Sequence, residues 1–281
     1  MKLLLPLFCF VSISIGFSQS KSLLYEVKKD GFQTTYLYGT IHLIPDSLFL
    51  FTKKLKKIIS QSDEMIFEIT DFSDNESLTK MLKSESNSFD IFSKVQQDSV
   101  LNWGAQLIES DTASFRRIFE YLKPINLLQL PTMKALQEHA VSVDLALMKF
   151  ADEKGIVKSE LETVAFQLEL LNDLPDSVLA EMILSAMRQS KDSDQLQAKL
   201  LHLYQTQDIE GLANLLNESD ETSAFLDDLI GKRNNKWLPK IIEKSKNKSC
   251  FVAVGAGHLG GKDGLISLFQ QAGFIVSPIT F

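Results

Sequence analysis

Residues 249–281 read SCFVAVGAGHLGGKDGLISLFQQAGFIVSPITF, and this stretch decides the fold class. An apolar run, a glycine-rich turn, a segment with helical spacing closed by Gly273 and a second apolar run give strand, turn, helix and strand. That order is one βαβ unit. Strands to complete the sheet are found at the other end of the chain. SLLYEVKKDGFQTTYLYG (22–39) holds two alternating apolar segments around Asp30-Gly31, which predicts an antiparallel hairpin. EMIFEIT (64–70) predicts a buried strand with one carboxylate, Glu68, among its apolar residues. Between these, DSLFLFTKKLKKIISQSD (46–63) predicts a helix capped by Asp46 or Ser47, with Leu48, Phe51, Leu55, Ile58 and Ile59 at helical spacing.

From 71 to 154 the spacing is helical, broken at Pro124 and Pro131. ADEKGIVKSELET (151–163) then stops a helix at Gly155 and adds a short extended run ending at Glu160 to Glu162. Residues 163–247 return to helical spacing, with Asp208 as a cap for IEGLANLL. The expected architecture is α/β: a central mixed sheet built from both chain ends, with a large helical insertion over residues 71–247. In such sheets ligands collect beyond the carboxyl ends of the strands. His42, Glu68, Glu162 and His258 all stand at or just past such ends.

The chain has 281 residues, 44% of them hydrophobic, enough for a sizeable core. A formal charge of −7 with no long basic run argues against nucleic acid as a partner. Residues 1–18 carry Lys2, an apolar run through Ile15 and small residues at Gly16 and Ser18, the layout of a secretory signal peptide cleaved after Ser18. The expectation is a domain at 19–281 that is exported, to a periplasm or the exterior, with no stable membrane span after leader removal. Of the two cysteines, Cys9 lies in that leader; Cys250 is left as a lone, buried strand thiol with no internal disulfide to make.

His42 and His258 each follow a glycine by three residues, Gly39 and Gly255, where a strand ends. Neutral imidazole and carboxylate suit a divalent transition metal. An ionised Glu68 in a buried strand needs a cation or several donors to compensate it. Glu162, beside Thr163, is either a site carboxylate or part of the next helix's capping region. Arg233, Asn234 and Trp237 share a helical stretch; the first two offer donors for a carbonyl or carboxylate, or else belong to a solvated face. His139 and His202 lie inside helical patterns and are read as hydrogen-bonded core residues. Gly255, Gly257 and Gly260 also match a dinucleotide fingerprint, but the acidic residue that should follow about twenty positions later is missing. There is no G-x-S-x-G, H-E-x-x-H or C-x-x-C.

Taken in order, YLYGTIHLIP, MIFEIT, ELETVAFQLELLNDLP, GKRNNKWLPKI and FVAVGAGHLGGKDGLISLFQQAGFIV resemble the TraB/PrgY/GumN family, to which Tiki-type metalloproteases are related. The resemblance implies an erythromycin-esterase/ChaN-like α/β core and, in Tiki-type members, metal-dependent peptide-bond hydrolysis. His42 and His258 match the two motif histidines, and Glu68 the strand glutamate. Glu162 and Gln167 match a Leu-Glu-Thr…Gln segment, and Arg233, Asn234 and Trp237 an Arg-Asn-x-x-Trp helix. The chain departs from the family at Lys158-Ser159, where a small or apolar pair is usual. The resulting expectation is a hydrolase for a peptide or small amide substrate, with Mn, Co or Zn held by His42, Glu68 and His258. Glu162 would act as general base, with Arg233 and Asn234 steadying the substrate or oxyanion. The alternative is a protein that captures a peptide or signal in the same cleft and leaves it intact.

Overall fold

The computed structural model describes residues 21–41, 43–71, 83–135, 140–172, 174–189, 193–216 and 230–281. Eight strands occur among them: β1 (Leu24–Lys28), β2 (Thr35–Thr40), β3 (Ile44–Pro45), β4 (Glu64–Phe67), β5 (Ala140–Val141), β6 (Val157–Glu160), β7 (Cys250–Gly255) and β8 (Ile275–Pro278). Six form one mixed sheet in the order β6-β4-β7-β2-β1-β8, and β3 pairs with β5 in a separate ribbon. β7 is central because it has no polar face: Cys250 to Val254 are all fully buried, as a strand covered on both sides requires. It runs parallel to β4 on one side and to β2 on the other. The last strand, β8, is antiparallel to β1, and β1 is antiparallel to β2. β7 and β8 therefore run the same way, as the C-terminal βαβ pattern predicts, but the two N-terminal strands fill the space between them.

The register aligns the strand ends: Thr40 stands opposite Gly255, and Phe67 opposite Ala253 and Glu160. Four chain segments thus leave the sheet along one edge. The pairing of β4 with β6 continues one step further, with Leu161 N–H donating to the Phe67 carbonyl (2.9 Å) and Glu162 N–H to that of Glu68 (3.0 Å).

The helices are α1 (Lys53–Ser60), α2 (Lys94–Leu107), α3 (Thr112–Phe119), α4 (Leu130–Ala135), α5 (Val143–Lys154), α6 (Val164–Asn172), α7 (Asp176–Gln189), α8 (Ser193–Gln205), α9 (Ile209–Leu216), α10 (Lys232–Ser245) and α11 (Leu265–Gln271). α1 starts later than its periodicity predicts. Asp46–Leu48 forms a single 3₁₀ turn after Pro45, and Phe49 and Phe51 then stack on each other at 5.1 Å. Phe51 also meets Phe150 of α5 edge-on at 5.2 Å, so tertiary packing holds this segment out of the helix. Thr52 is the cap, its side chain accepting from Leu55 N–H. The hairpin turn is likewise longer than a two-residue one, with Gly31 at φ 84° in a loop between Lys28 and Thr35. Gly155 does end α5 in the left-handed conformation (φ 65°), and Asp208 does cap α9, accepting from Gly211 N–H at 2.9 Å.

Two apolar clusters result. One surrounds the sheet and includes Tyr38, Tyr204 and Trp237. The other lies within the helical insertion, where Phe89, Phe115 and Ile183 are fully buried. Cys250 is buried in β7 as expected. His202 is exposed near the end of α8, contrary to its reading as a core residue, because the packed face of that helix is carried by Tyr204. Among the described residues no helix is long and apolar enough to cross a membrane. The leader at 1–18, His42 and His139 lie outside the described residues.

Candidate functional site

At the shared strand edge, Glu68, Glu162, Arg233, Asn234, Trp237 and His258 converge from four segments. Glu68 follows β4 and Glu162 follows β6, brought side by side by the extended ladder. Thr163, next in line, caps α6 by accepting from Phe166 N–H at 3.2 Å, which leaves Glu162 free of the capping role. Arg233, Asn234 and Trp237 sit on the buried face of α10, at i, i+1 and i+4. His258 ends the 3₁₀ turn Ala256–His258 that leaves β7.

Asn234 fixes the state of His258. Its Nδ2 donates to two backbone carbonyls, those of His258 (3.1 Å) and Asp263 (2.8 Å). Those partners only accept, so the amide orientation is set and Oδ1 is the atom that faces His258 Nδ1, at 2.8 Å. Nδ1 must then carry the proton. In the neutral ring the lone pair lies on Nε2, which faces Arg233 Nη1 at 3.2 Å and Glu68 Oε1 at 3.9 Å. Trp237, fully buried, packs its ring 4.4 Å from the imidazole and holds its plane.

Arg233 ties the two carboxylates together. Nη2 donates to Glu68 Oε2 (2.6 Å) and Glu162 Oε2 (2.8 Å), and Nε donates to Glu162 at 2.9 and 3.1 Å. Gln167 Nε2 bridges the same oxygens, at 3.2 Å from Glu68 and 3.3 Å from Glu162. Trp237 Nε1 donates to Glu162 Oε1 at 2.8 Å, and Gly255 N–H to Glu68 Oε1 at 2.8 Å. Burial alone would lower the pKa of Arg233, but the Glu162 hydrogen bonds and the charges of both carboxylates outweigh it, so the guanidinium is held above its ordinary value. Two carboxylates thus share one permanent positive charge.

The donor set suits a divalent metal in its chemistry. A histidine whose other ring nitrogen is locked by an amide oxygen is the usual form of a metal ligand. His258 Nε2 and Glu68 Oε1 stand 3.9 Å apart, with Arg233 Nη1 3.2 Å from the same Nε2. Among the described residues no group of three or more His, Cys, Asp or Glu side chains is arranged around one point. His42, the third ligand expected from the sequence, lies outside the described residues.

The surroundings of Asn234, Glu162 and the glycine turn bear on the roles these residues can take. Asn234 has both amide protons committed to backbone carbonyls, so it positions His258 and has none left for an oxyanion. Glu162 accepts from Arg233, Trp237 and Gln167 at once, and Glu68 from Arg233, Gln167 and Gly255, so both carboxylates are held in fixed orientation. The glycine fingerprint at Gly255, Gly257 and Gly260 is used for packing. Gly255 N–H is given to Glu68, and a Cβ on Gly260 would come within 2.8 Å of Ile209.

One feature escaped the sequence reading. A cleft of about 380 Å³ opens beside Glu162, lined by Leu161, Phe166, Trp237, Lys236 and Lys240 among others. Its signal was the i, i+4 repeat of lysines on α10, which reads as an ordinary solvated face.

Comparison with known proteins gives one match: the model of the TraB/PrgY/gumN family covers residues 23–278. No curated protein and no solved structure matches the chain.

Proposed function

The chain belongs to the TraB/PrgY/gumN family, and on that premise we propose that it is an exported, divalent-metal-dependent hydrolase acting on peptide or other amide bonds. The observation that supports this reading is the locked tautomer of His258, which leaves its Nε2 unprotonated beside Arg233 Nη1 and 3.9 Å from Glu68 Oε1 at the strand-end edge. His258 and Glu68, with His42, would hold Mn, Co or Zn. When bound, such an ion supplies Lewis acidity for a water and for the scissile carbonyl. Of the two carboxylates, Glu68 would be the ligand and Glu162 the group that takes up a proton during hydrolysis. Arg233 is positioned to steady charge on the substrate oxygen, with Glu162 and Gln167 fixing its plane. Asn234 and Trp237 are positioning residues for the imidazole.

Equilibrium dialysis of the protein purified without its leader tests this. It is expected to retain about one Mn, Co or Zn ion per chain, released by EDTA. His258→Ala is expected to abolish retention, and Asn234→Leu to weaken it by about 10- to 100-fold while His258 remains. Wild-type metal retention in the His258→Ala variant would end the proposal. A second reading, capture of a peptide or signal without cleavage, draws on Arg233, whose Nη1 already satisfies the His258 lone pair. Mass spectrometry of a peptide mixture after incubation with metal-loaded protein separates the two: new fragments support hydrolysis, and intact bound peptides support capture.

A further inference from the structure

We propose that the cleft beside Glu162 receives the C-terminal residue of a peptide, its apolar side chain against Phe166, Leu161 and Trp237 and its free carboxylate between Lys236 and Lys240. This rests on the peptide-directed reading of the adjoining network and adds the substrate class. The cleft is contiguous with that network, because Glu162 and Trp237 belong to both.

Its chemistry has two parts. Phe166, Leu161 and Trp237 give an apolar wall, and a volume of about 380 Å³ lies within the range of small-ligand pockets. Two ammonium groups one helical turn apart stand at its side. Neither is paired with a carboxylate among the described residues. Lys240 Nζ donates to the Leu161 carbonyl at 2.6 Å, which satisfies one proton but not its charge, and Lys236 Nζ lies 4.7 Å above the Phe166 ring. The acidic residues of the lining form no ion pair with either lysine. Glu162 is taken by Arg233, and Glu160 Oε2 accepts from the backbone and hydroxyl of Thr70, both at 3.1 Å. Apolar surface beside two ammonium groups that have no ion pair among the described residues matches a residue that carries an apolar side chain and a carboxylate on the same Cα. An internal residue of a peptide lacks that combination.

Calorimetric titration of the metal-loaded protein with N-acetylphenylalanine and with N-acetylphenylalaninamide tests the inference. The acid is expected to bind about tenfold or more tightly than the amide, a preference that weakens as NaCl is raised. Lys236→Glu, at an exposed position, is expected to remove that preference; Lys240→Gln, which keeps a donor for the Leu161 carbonyl, is expected to reduce it. Equal binding of acid and amide, or an unchanged preference in Lys236→Glu, overturns the inference. Peptide cleavage that survives equal binding would overturn this assignment alone. An acid preference in a protein that cuts no peptide would leave the cleft and remove the hydrolase reading.

Discussion

Glu64 and Glu162 are both buried carboxylates beside strand ends, and their partners give them opposite uses. Glu162 faces one delocalised guanidinium, an indole N–H and an amide, which orient a neighbouring site. Glu64, at the other end of β4, accepts from Ser159 Oγ, Lys244 and Lys248, and among the described residues no imidazole is a partner. Burial by itself would raise its carboxyl, but those hydrogen bonds and charges hold it at about 2, below the ordinary 4.5. A depressed folded-state value means stability that is present above about pH 4.5 and lost as pH falls toward 2. Glu64→Gln is therefore expected to cost on the order of 2 kcal/mol at pH 7, allowing for lysines that are partly exposed and screened. In urea denaturation the gap between wild type and variant should close as pH drops from 4.5 toward 2. A gap independent of pH would show that the charge of Glu64 is not what stabilises this end of the sheet.

Among the elements, the two Gly-x-x-His segments differ in why they need glycine. Neither Gly39 nor Gly255 has a positive φ, so neither glycine is there for backbone freedom. A Cβ on Gly39 would lie 3.1 Å from both Cα and Cβ of Ala256 and 3.2 Å from Ile209, where the turn carrying His258 presses on β2. One on Gly255 would meet Glu68 Oε1 at 3.4 Å and His258 Cδ2 at 3.7 Å, near ordinary contact. Gly39→Ala is expected to destabilise by about 1–3 kcal/mol through overpacking, and Gly255→Ala by less than about 1 kcal/mol. Thermal unfolding of the two variants checks the order, and equal losses would count against close approach as the reason for Gly39. The same kind of contact explains the late start of α1. Its apolar spacing extends back to Leu48, but the aromatic stacking of Phe49, Phe51 and Phe150 removes the first turns.

For the whole molecule, the sheet is closed by a strand from the far end of the chain. β4 and β2 have no pairing with each other; β7 alone joins them. A chain ending at residue 247 would lack that strand, leaving two buried strand edges and an uncovered core. It is expected to lose the cooperative thermal transition followed by circular dichroism, whereas an intact transition would mean that the N-terminal half folds without β7. Local sequence was enough for what depends on neighbours along the chain: β7, α11 and β8 at the C-terminus, the stop at Gly155, the cap at Asp208 and the buried thiol of Cys250. The Gly-x-x-His spacing at a strand end also singled out His258, and the one carboxylate of an apolar strand singled out Glu68, because residues just past a strand leave the sheet at a predictable edge. The bonding of Asn234 to His258, the binding of Glu162 to Arg233 and Trp237, and the lysine-flanked cleft were decided only in the tertiary structure. Each joins side chains from segments tens of residues apart, and a hydrogen bond across that distance depends on register and packing angle, which local periodicity does not encode.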